Sequence, residues 1–250
     1  MKLNNTLTYV LTSLLIAFLL GCSDNQPTSP LQQKVAQQDA GKQGGTKKVI
    51  PGQPQAPTNK ISSTGSDHGY FWQCYVSGGS ASISFPQAGT YPGNFAVTWS
   101  NVGDVVAGKG WNPGSSHSIG YNCGSLNGSF NNFGIYGWTT SPLIEYYVTE
   151  MGNVSGTFVN TISSDGHNYN FYKHQQVNQP SIQGTATFWQ YLDNWGGSSK
   201  GSNHTVTMNN HINNWKSRGG QGFGSYNLQI LAVEAYGGKS GNCNATVWGQ

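Results

Sequence analysis

The chain has 250 residues, enough for one or two domains with a sizeable apolar core. Only 8% of the residues are charged and the formal net charge is +3, whereas glycine, tyrosine and tryptophan are abundant. Nucleic-acid binding needs a clustered basic surface, so this composition argues against a nucleic-acid partner and favours a neutral polar surface, as is common in exported proteins and in binders of neutral polymers.

The N-terminal residues have the pattern of an export signal. A basic start at Lys2 precedes an apolar run over 9–20 that, at about 12 residues, is too short to span a bilayer. The sequence LLGC at 19–22 resembles a bacterial lipobox, which implies a lipid on Cys22. We therefore predict a signal peptide at 1–21 and a protein held at the bacterial cell surface or outer membrane only by that lipid. An ordinary secretory signal is the alternative.

The next segment, residues 22–65, is rich in glutamine, proline, serine, lysine and glycine and has few aromatic residues. Such a composition buries too little apolar surface to fold on its own. We interpret it as a disordered polar linker to a working domain at 66–250, and we expect that domain to act as a monomer.

The domain sequence predicts an almost wholly β structure. Short stretches rich in β-branched and aromatic residues recur about every ten residues, separated by turns of glycine, asparagine, serine and proline. This pattern is typical of a sandwich or a jelly roll. The predicted strands include SASISF, NFAVTWS, FGIYGW, IEYYVTE, NYNFYKH, ATFWQYL, NLQILAVEAY and NATVW.

One segment departs from this pattern. In VTMNNHINNWKSR at 206–218, the apolar residues Met208, Ile212 and Trp215 are spaced four and three residues apart, and two glycines follow. This spacing and the glycine stop predict the single helix of the domain. We interpret His211 on this helix as a buried, hydrogen-bonded structural residue.

Most acidic residues of the domain have structural interpretations. Asp165 stands in a Ser-Asp-Gly sequence that is typical of a hairpin turn. Asp67 and Asp193 are interpreted as residues of polar loops, and Glu150 as a solvated residue at the end of a strand.

Two glutamates have a different setting. Side chains alternate across a strand, so Glu145 shares a face with Tyr147 in IEYYV, and Glu234 shares a face with Tyr236 in LQILAVEAY. Glycoside hydrolysis typically requires two carboxyl groups, one on each side of the scissile bond. Tyrosine and tryptophan next to them offer the flat amphipathic surfaces that sugars bind. Taken singly, each glutamate is equally compatible with an ordinary exposed strand residue.

The segment YGWTTSPLIEYY at 136–147 resembles the nucleophile signature of family 11 glycoside hydrolases, the small endo-β-1,4-xylanases. The strand around Glu234 resembles the acid/base strand of that family, and the motifs follow in the family's order over about 68–248. The resemblance implies an all-β jelly roll of two curved antiparallel sheets with one α-helix. It also implies retaining double displacement on xylan and xylo-oligosaccharides, with Glu145 as nucleophile, Glu234 as acid/base, and no cofactor.

The resemblance assigns further residues to the sugar cleft. Pro180 belongs to the tip of a mobile hairpin, the thumb, and Asp104 falls beside the acid/base. Because a third carboxylate there would couple to Glu234, we expect an acidic pH optimum. The remaining cleft residues implied by the family pattern are Tyr75, Tyr136, Trp138, Tyr147 and Gln190.

The chain departs from the family pattern at two positions. Gln176 stands where the family often has an arginine, and Asn132 where a tyrosine is often found. These departures bear on the affinity for individual sugar units and on the catalytic pKa values.

The cysteines of an exported domain favour a disulfide. Cys74, Cys123 and Cys243 are expected to supply one disulfide and one free thiol, with the pairing left open. Because neither CxxC nor HExxH occurs, we expect no metal site.

Two other function classes fit parts of the pattern. A family 12-like β-1,4-glucanase would have a related jelly roll and a similar carboxylate pair. A non-catalytic polysaccharide-binding surface lipoprotein would keep the aromatic face and the anchor, but it would have no need for both glutamates.

Overall fold

A computed structural model describes residues 62–250 of the chain. The predicted signal peptide, Cys22 and nearly all of the predicted linker lie outside the described residues. The first strand begins at Ser63, three residues before the predicted start of the domain. The elements are β1 Ser63–Asp67, β2 Tyr70–Ser77, β3 Ser80–Ser84, β4 Asn94–Trp111, β5 Ser118–Gly128, β6 Asn132–Thr140, β7 Ile144–Gly152, β8 Thr157–Ser164, β9 His167–Ser181, β10 Gly184–Asn194, β11 Asn203–Thr207, α1 Met208–Arg218 and β12 Ser225–Gly249.

The strands form two layers that are joined by the long strands β4 and β12. The larger layer has the order β1-β2-β4-β12-β6-β7-β10-β9-β8. In the smaller layer, the N-terminal part of β4 and the C-terminal part of β12 pair with each other and with β3 and β5, and β11 pairs with β5. All pairs are antiparallel except β7 with β10, which is parallel. The predicted all-β jelly roll with one helix is confirmed.

The main core is formed by one face of the large layer together with residues of the smaller layer and the apolar stripe of the helix. On β7, the side chains of Ile144, Tyr146 and Val148 are fully buried in this core. Tyr147 belongs instead to a second apolar cluster, which covers the opposite face of the layer, and Glu145 shares its side of the strand. Side-chain alternation along a strand therefore separates core residues from site residues, as the sequence predicts.

The single helix is confirmed with a start two residues later than predicted. Val206 and Thr207 end β11 instead of beginning the helix. The helix buries its apolar stripe and ends before Gly219, with the basic residues Lys216 and Arg218 in its last turn, where they complement the helix dipole.

The turn predicted at Asp165 is also confirmed. Asp165 and Gly166 have φ angles of 53° and 80°, the left-handed region that a tight hairpin turn requires. The Asp165 carboxylate accepts hydrogen bonds from the backbone N–H and the hydroxyl of Thr207, at 2.8 and 2.6 Å. It thereby connects the β8–β9 turn to the start of the helix.

The interpretation of His211 is confirmed and that of Asp193 is wrong. His211 is fully buried, and its Nδ1 lies 2.6 Å from Oδ2 of Asp193, which is fully buried as well. Asp193 is the penultimate residue of β10 and points into the core rather than into a loop. A buried charge without a partner destabilises the fold, so each of the two side chains provides the polar partner that the other needs.

The interpretations of Glu150 and Asp67 are wrong for a related reason. Glu150 is 1% exposed and accepts hydrogen bonds from the hydroxyls of Tyr121 and Tyr169, each at 2.7 Å. Burial raises the pKa of its carboxyl. Asp67 ends β1 and forms an ion pair of 2.6 Å with the buried Lys109. Sequence position suggested exposure for both carboxylates, but long-range strand pairing provides their partners.

The predicted disulfide is wrong. Cys74, Cys123 and Cys243 are all buried free thiols. Cys74 lies on β2 in the large layer, whereas the other two lie on the neighbouring strands β5 and β12. There, Cys123 is opposite Ala245 and Cys243 is opposite Leu126, so the two cysteines do not face each other in the register.

No helix within residues 62–250 is long and apolar enough to cross a membrane. No group of three or more histidine, cysteine, aspartate or glutamate side chains in the same residues is arranged to hold a metal ion.

Candidate active site

The structure brings Glu145 and Glu234 together around one tyrosine. Glu145 lies on β7, Glu234 on β12, and β6 runs between these strands. The hydroxyl of Tyr147 is 3.2 Å from Oε1 of Glu145 and 3.3 Å from Oε1 of Glu234. The two oxygens are therefore no further apart than the sum of these distances. This limit is compatible with the ~5–5.5 Å carboxyl separation of retaining glycosidases.

The carboxyl group of Glu145 is held on both oxygens. Its Oε1 accepts hydrogen bonds from the hydroxyls of Tyr136, at 3.0 Å, and Tyr147. Its Oε2 accepts a hydrogen bond of 2.7 Å from Nε2 of Gln190. Burial raises the pKa of Glu145 to about 7, while these three donors act in the opposite direction by stabilising the ionised form.

Two further side chains orient the donors to Glu145. The indole N–H of Trp138 donates to the hydroxyl oxygen of Tyr136 at 2.5 Å. Because an indole nitrogen can only donate, the Tyr136 proton remains directed to Glu145. Gln176 donates to Oε1 of Gln190 at 3.1 Å and so leaves the amide N–H₂ of Gln190 facing Glu145.

Glu234 has the environment of an acid that keeps its proton. Burial and the charges of Asp104 and Glu145 raise its pKa well above the usual value. A tyrosine hydroxyl donates only one proton, so when Tyr147 donates to an ionised Glu145, its contact with Glu234 needs a proton from Glu234. The pair is therefore matched to one ionised and one protonated carboxyl.

Asp104 is close enough to this pair to influence it. It lies on β4, two residues before Val106, which is opposite Glu234 in the β4–β12 register, so both carboxylates project from the same face. Its Oδ1 is buried and has no hydrogen-bond partner among residues 62–250. Burial raises the pKa of Asp104 to about 6.

The other predicted site residues occupy different parts of the same face. Tyr75 is half-buried on β2, opposite Val106, at one end of the apolar cluster that lines the site. Asn132 is buried and is opposite Glu234 in the β6–β12 register. Pro180 is exposed near the tip of the β9–β10 hairpin and takes no part in the hydrogen bonds to the two glutamates.

Several wall residues escaped the sequence interpretation. The Phe188 ring packs edge-on against Trp138 with centroids 4.8 Å apart, and Leu192 belongs to the same cluster. The signal was present, because Phe188, Gln190 and Leu192 alternate along ATFWQYL and must share a face. Sequence alone did not predict that the amide of Gln176 donates to Gln190.

The chain is similar to known proteins over most of its length. The model of the glycosyl hydrolases family 11 matches residues 67–246. An ethylene-inducing xylanase of Penicillium digitatum is 43% identical over 206 residues, which are 80% of this chain and 91% of that protein. Endo-1,4-beta-xylanase 2 of Rhizopus oryzae is 41% identical over the same shares. A structure from a comparison of two endo-1,4-beta-xylanases of Trichoderma reesei matches with a TM-score of 0.62 and 36% identity, covering 75% of this chain and 99% of that one.

Proposed function

Because this chain belongs to the glycosyl hydrolases family 11, we propose that Glu145 and Glu234 carry out its reaction. The enzyme is an endo-1,4-β-xylanase, a glycoside hydrolase that cleaves xylan internally. The observation that carries the assignment of the two residues is their common contact with the Tyr147 hydroxyl, at 3.2 and 3.3 Å.

In the first step, the protonated carboxyl of Glu234 gives its proton to the glycosidic oxygen. The Glu145 carboxylate attacks the anomeric carbon, the bond from that carbon to the glycosidic oxygen breaks, and the shortened xylan chain leaves as an alcohol. The product is a covalent glycosyl ester of Glu145. The donors on both oxygens of Glu145 hold the carboxylate in one orientation for this attack.

In the second step, the roles of the two carboxyls reverse. Esterification removes the negative charge of Glu145, which had raised the pKa of Glu234. Glu234, now ionised, takes a proton from water, and the resulting hydroxide oxygen displaces Glu145 from the anomeric carbon. Two displacements leave the configuration of the sugar unchanged, so we propose a retaining enzyme.

The substrate assignment is tested by offering the purified enzyme xylan and a soluble β-1,4-glucan in parallel. We expect reducing ends to appear from xylan, with the β-anomer formed first in the proton NMR spectrum. Release mainly from the glucan would favour the family 12-like glucanase, and binding without release would favour the non-catalytic polysaccharide-binding lipoprotein.

Asp104 is proposed to set an acidic pH optimum. While Asp104 is ionised, its charge raises the pKa of Glu234, which then gives up its proton less readily. Glu234 is thus the better acid below the Asp104 pKa of about 6, and Glu145 must be ionised although its own pKa is raised to about 7. In the productive state, Asp104 is protonated and Glu145 is ionised. This state is populated most between the two pKa values, on the acid side of neutrality.

We therefore expect Asp104→Asn to move the alkaline limb of the kcat/KM profile to higher pH, because the neutral amide mimics protonated Asp104 at every pH. The acid limb should move less, since it reports mainly Glu145. Asp67→Asn, which removes a carboxylate outside the site, is the control and should leave both limbs in place. An unchanged alkaline limb in Asp104→Asn would exclude the coupling.

For localisation, we propose that the protein is exported and that a lipid on Cys22 anchors it. The support for the anchor is the LLGC sequence alone. We also propose that the domain acts as a monomer. In a bacterial host that processes lipoproteins, Cys22→Ala should move the protein from the membrane fraction to the soluble fraction, and wild-type protein that is soluble from the outset would indicate an ordinary secretory signal instead.

A further inference from the structure

An exposed aromatic pair lies on the site face of the large layer, away from the catalytic residues. Phe158 on β8 is 55% exposed, and its ring contacts that of Tyr172 on β9 edge-on, with centroids 5.8 Å apart. Tyr172 is half-buried against the cluster that lines the active site, whereas Tyr169 and Phe171 of the same strand face the main core. The pair therefore belongs to the site face.

The strand register connects this pair directly to Tyr147, the tyrosine that contacts both glutamates. Tyr147 on β7 is opposite Leu192 on β10, Leu192 is opposite Tyr172 on β9, and Tyr172 is opposite Phe158 on β8. Strands are spaced about 4.8 Å apart, so Phe158 lies on the order of 14 Å along the layer from Tyr147. The row is continuous and ends at Phe158, because β8 is the last strand of the layer.

The composition of the row fits a sugar chain. Leu192 is almost fully buried and forms the floor of the row, and Tyr172 adds an aromatic wall with a polar tip. The exposed Phe158 ring adds a flat apolar surface with no charged partner. Apolar C–H faces of pyranose rings pack on such rings, while the neutral polar surroundings suit their hydroxyls. At the opposite end of the same face stands Tyr75, so the catalytic pair lies between two aromatic ends.

We propose that Phe158 and Tyr172 form a distal xylan-binding subsite that extends the cleft beyond the sugars at the point of cleavage. The occupant is a sugar unit of the same xylan chain that the catalytic pair cleaves, so this inference rests on the proposed function. The subsite gives the enzyme a preference for long chains, because only these reach from the catalytic residues to β8.

The test compares Phe158→Ala with wild type on xylo-oligosaccharides of increasing length and on polymeric xylan. We expect KM for the longest substrates to rise roughly two- to tenfold, the range of one aromatic contact, and the short oligosaccharides to be cleaved as by wild type. Phe158→Tyr should retain the wild-type preference. Phe158→Leu, which keeps apolar area but has no flat ring, should lose most of it.

Tyr91→Ala is the matched control, because Tyr91 has the same exposed fraction but lies in the loop between β3 and β4. This substitution should leave the dependence of KM on substrate length as in wild type. An equal effect of Phe158→Ala on all lengths, or no effect, would overturn the subsite while leaving the proposed function intact. A wild-type enzyme that cleaves no xylan of any length would instead overturn the proposed function.

Discussion

Glu145→Gln is expected to lower kcat on xylan by at least about 10⁴-fold, because the amide cannot form the covalent sugar ester. Folding should be preserved, since the amide oxygen can still accept the hydrogen bonds of Tyr136 and Tyr147, and only the hydrogen bond from Gln190 loses its acceptor. The measurement is reducing-end release together with a thermal melt. Substrate binding should remain, so that the variant still retains xylan on an affinity gel.

A second variant distinguishes a nucleophile from a residue that only shapes the site. Glu145→Gly leaves space for azide, and with an activated aryl xylobioside the azide should take the place of the carboxylate and give a glycosyl azide of inverted configuration. Glu150→Gln is the matched control, because Glu150 is also buried on β7 but faces the core. It should lower the melting temperature without a comparable loss of kcat. Substantial xylan cleavage by Glu145→Gln would end the assignment.

Glu234→Gln is expected to lower kcat/KM on xylan about 10²- to 10⁴-fold, because the glutamine has no proton to give to the leaving oxygen. The loss should be much smaller on aryl xylobiosides whose phenolate leaves without protonation. With these substrates the second step becomes limiting, since no carboxylate activates the water. The covalent intermediate on Glu145 should then accumulate and be visible by mass spectrometry of the intact protein.

The dependence on the leaving group is the decisive feature of this second prediction. A residue that merely supports the site would slow all substrates by a similar factor, whereas an acid/base residue slows them according to their need for a proton. Equal losses on xylan and on the aryl substrates would assign Glu234 a structural role. The raised pKa of Glu234 and its contact with Tyr147 favour the acid/base role.

The sequence predicted most of the secondary structure. Short stretches rich in β-branched and aromatic residues, separated by turn residues, identified the strands, and the spacing of Met208, Ile212 and Trp215 identified the helix within two residues of its start. The two glutamates were singled out because each shares a strand face with a tyrosine two residues on. All of these features depend on the geometry of a single element, which local sequence determines.

The errors about the carboxylates and the cysteines concern partners that are distant in the chain. Glu150 and Asp193 appeared solvated because nothing in their own segments could neutralise them, and Asp67 has only the neighbouring His68 there, yet each carboxylate contacts a residue on another element. The cysteines could be counted, but the register of β5 and β12 that keeps Cys123 and Cys243 from facing each other could not be derived from them.

By itself, the sequence determined which neighbours share a strand face with Glu145 and with Glu234, because side chains alternate along a regular extended backbone. Only the tertiary structure decided that β6 separates β7 from β12 and that the Tyr147 hydroxyl reaches both glutamates. Strand order and register arise from the simultaneous burial of many side chains in two layers. No single segment contains that information, and the environment of each carboxylate therefore becomes apparent only in the folded domain.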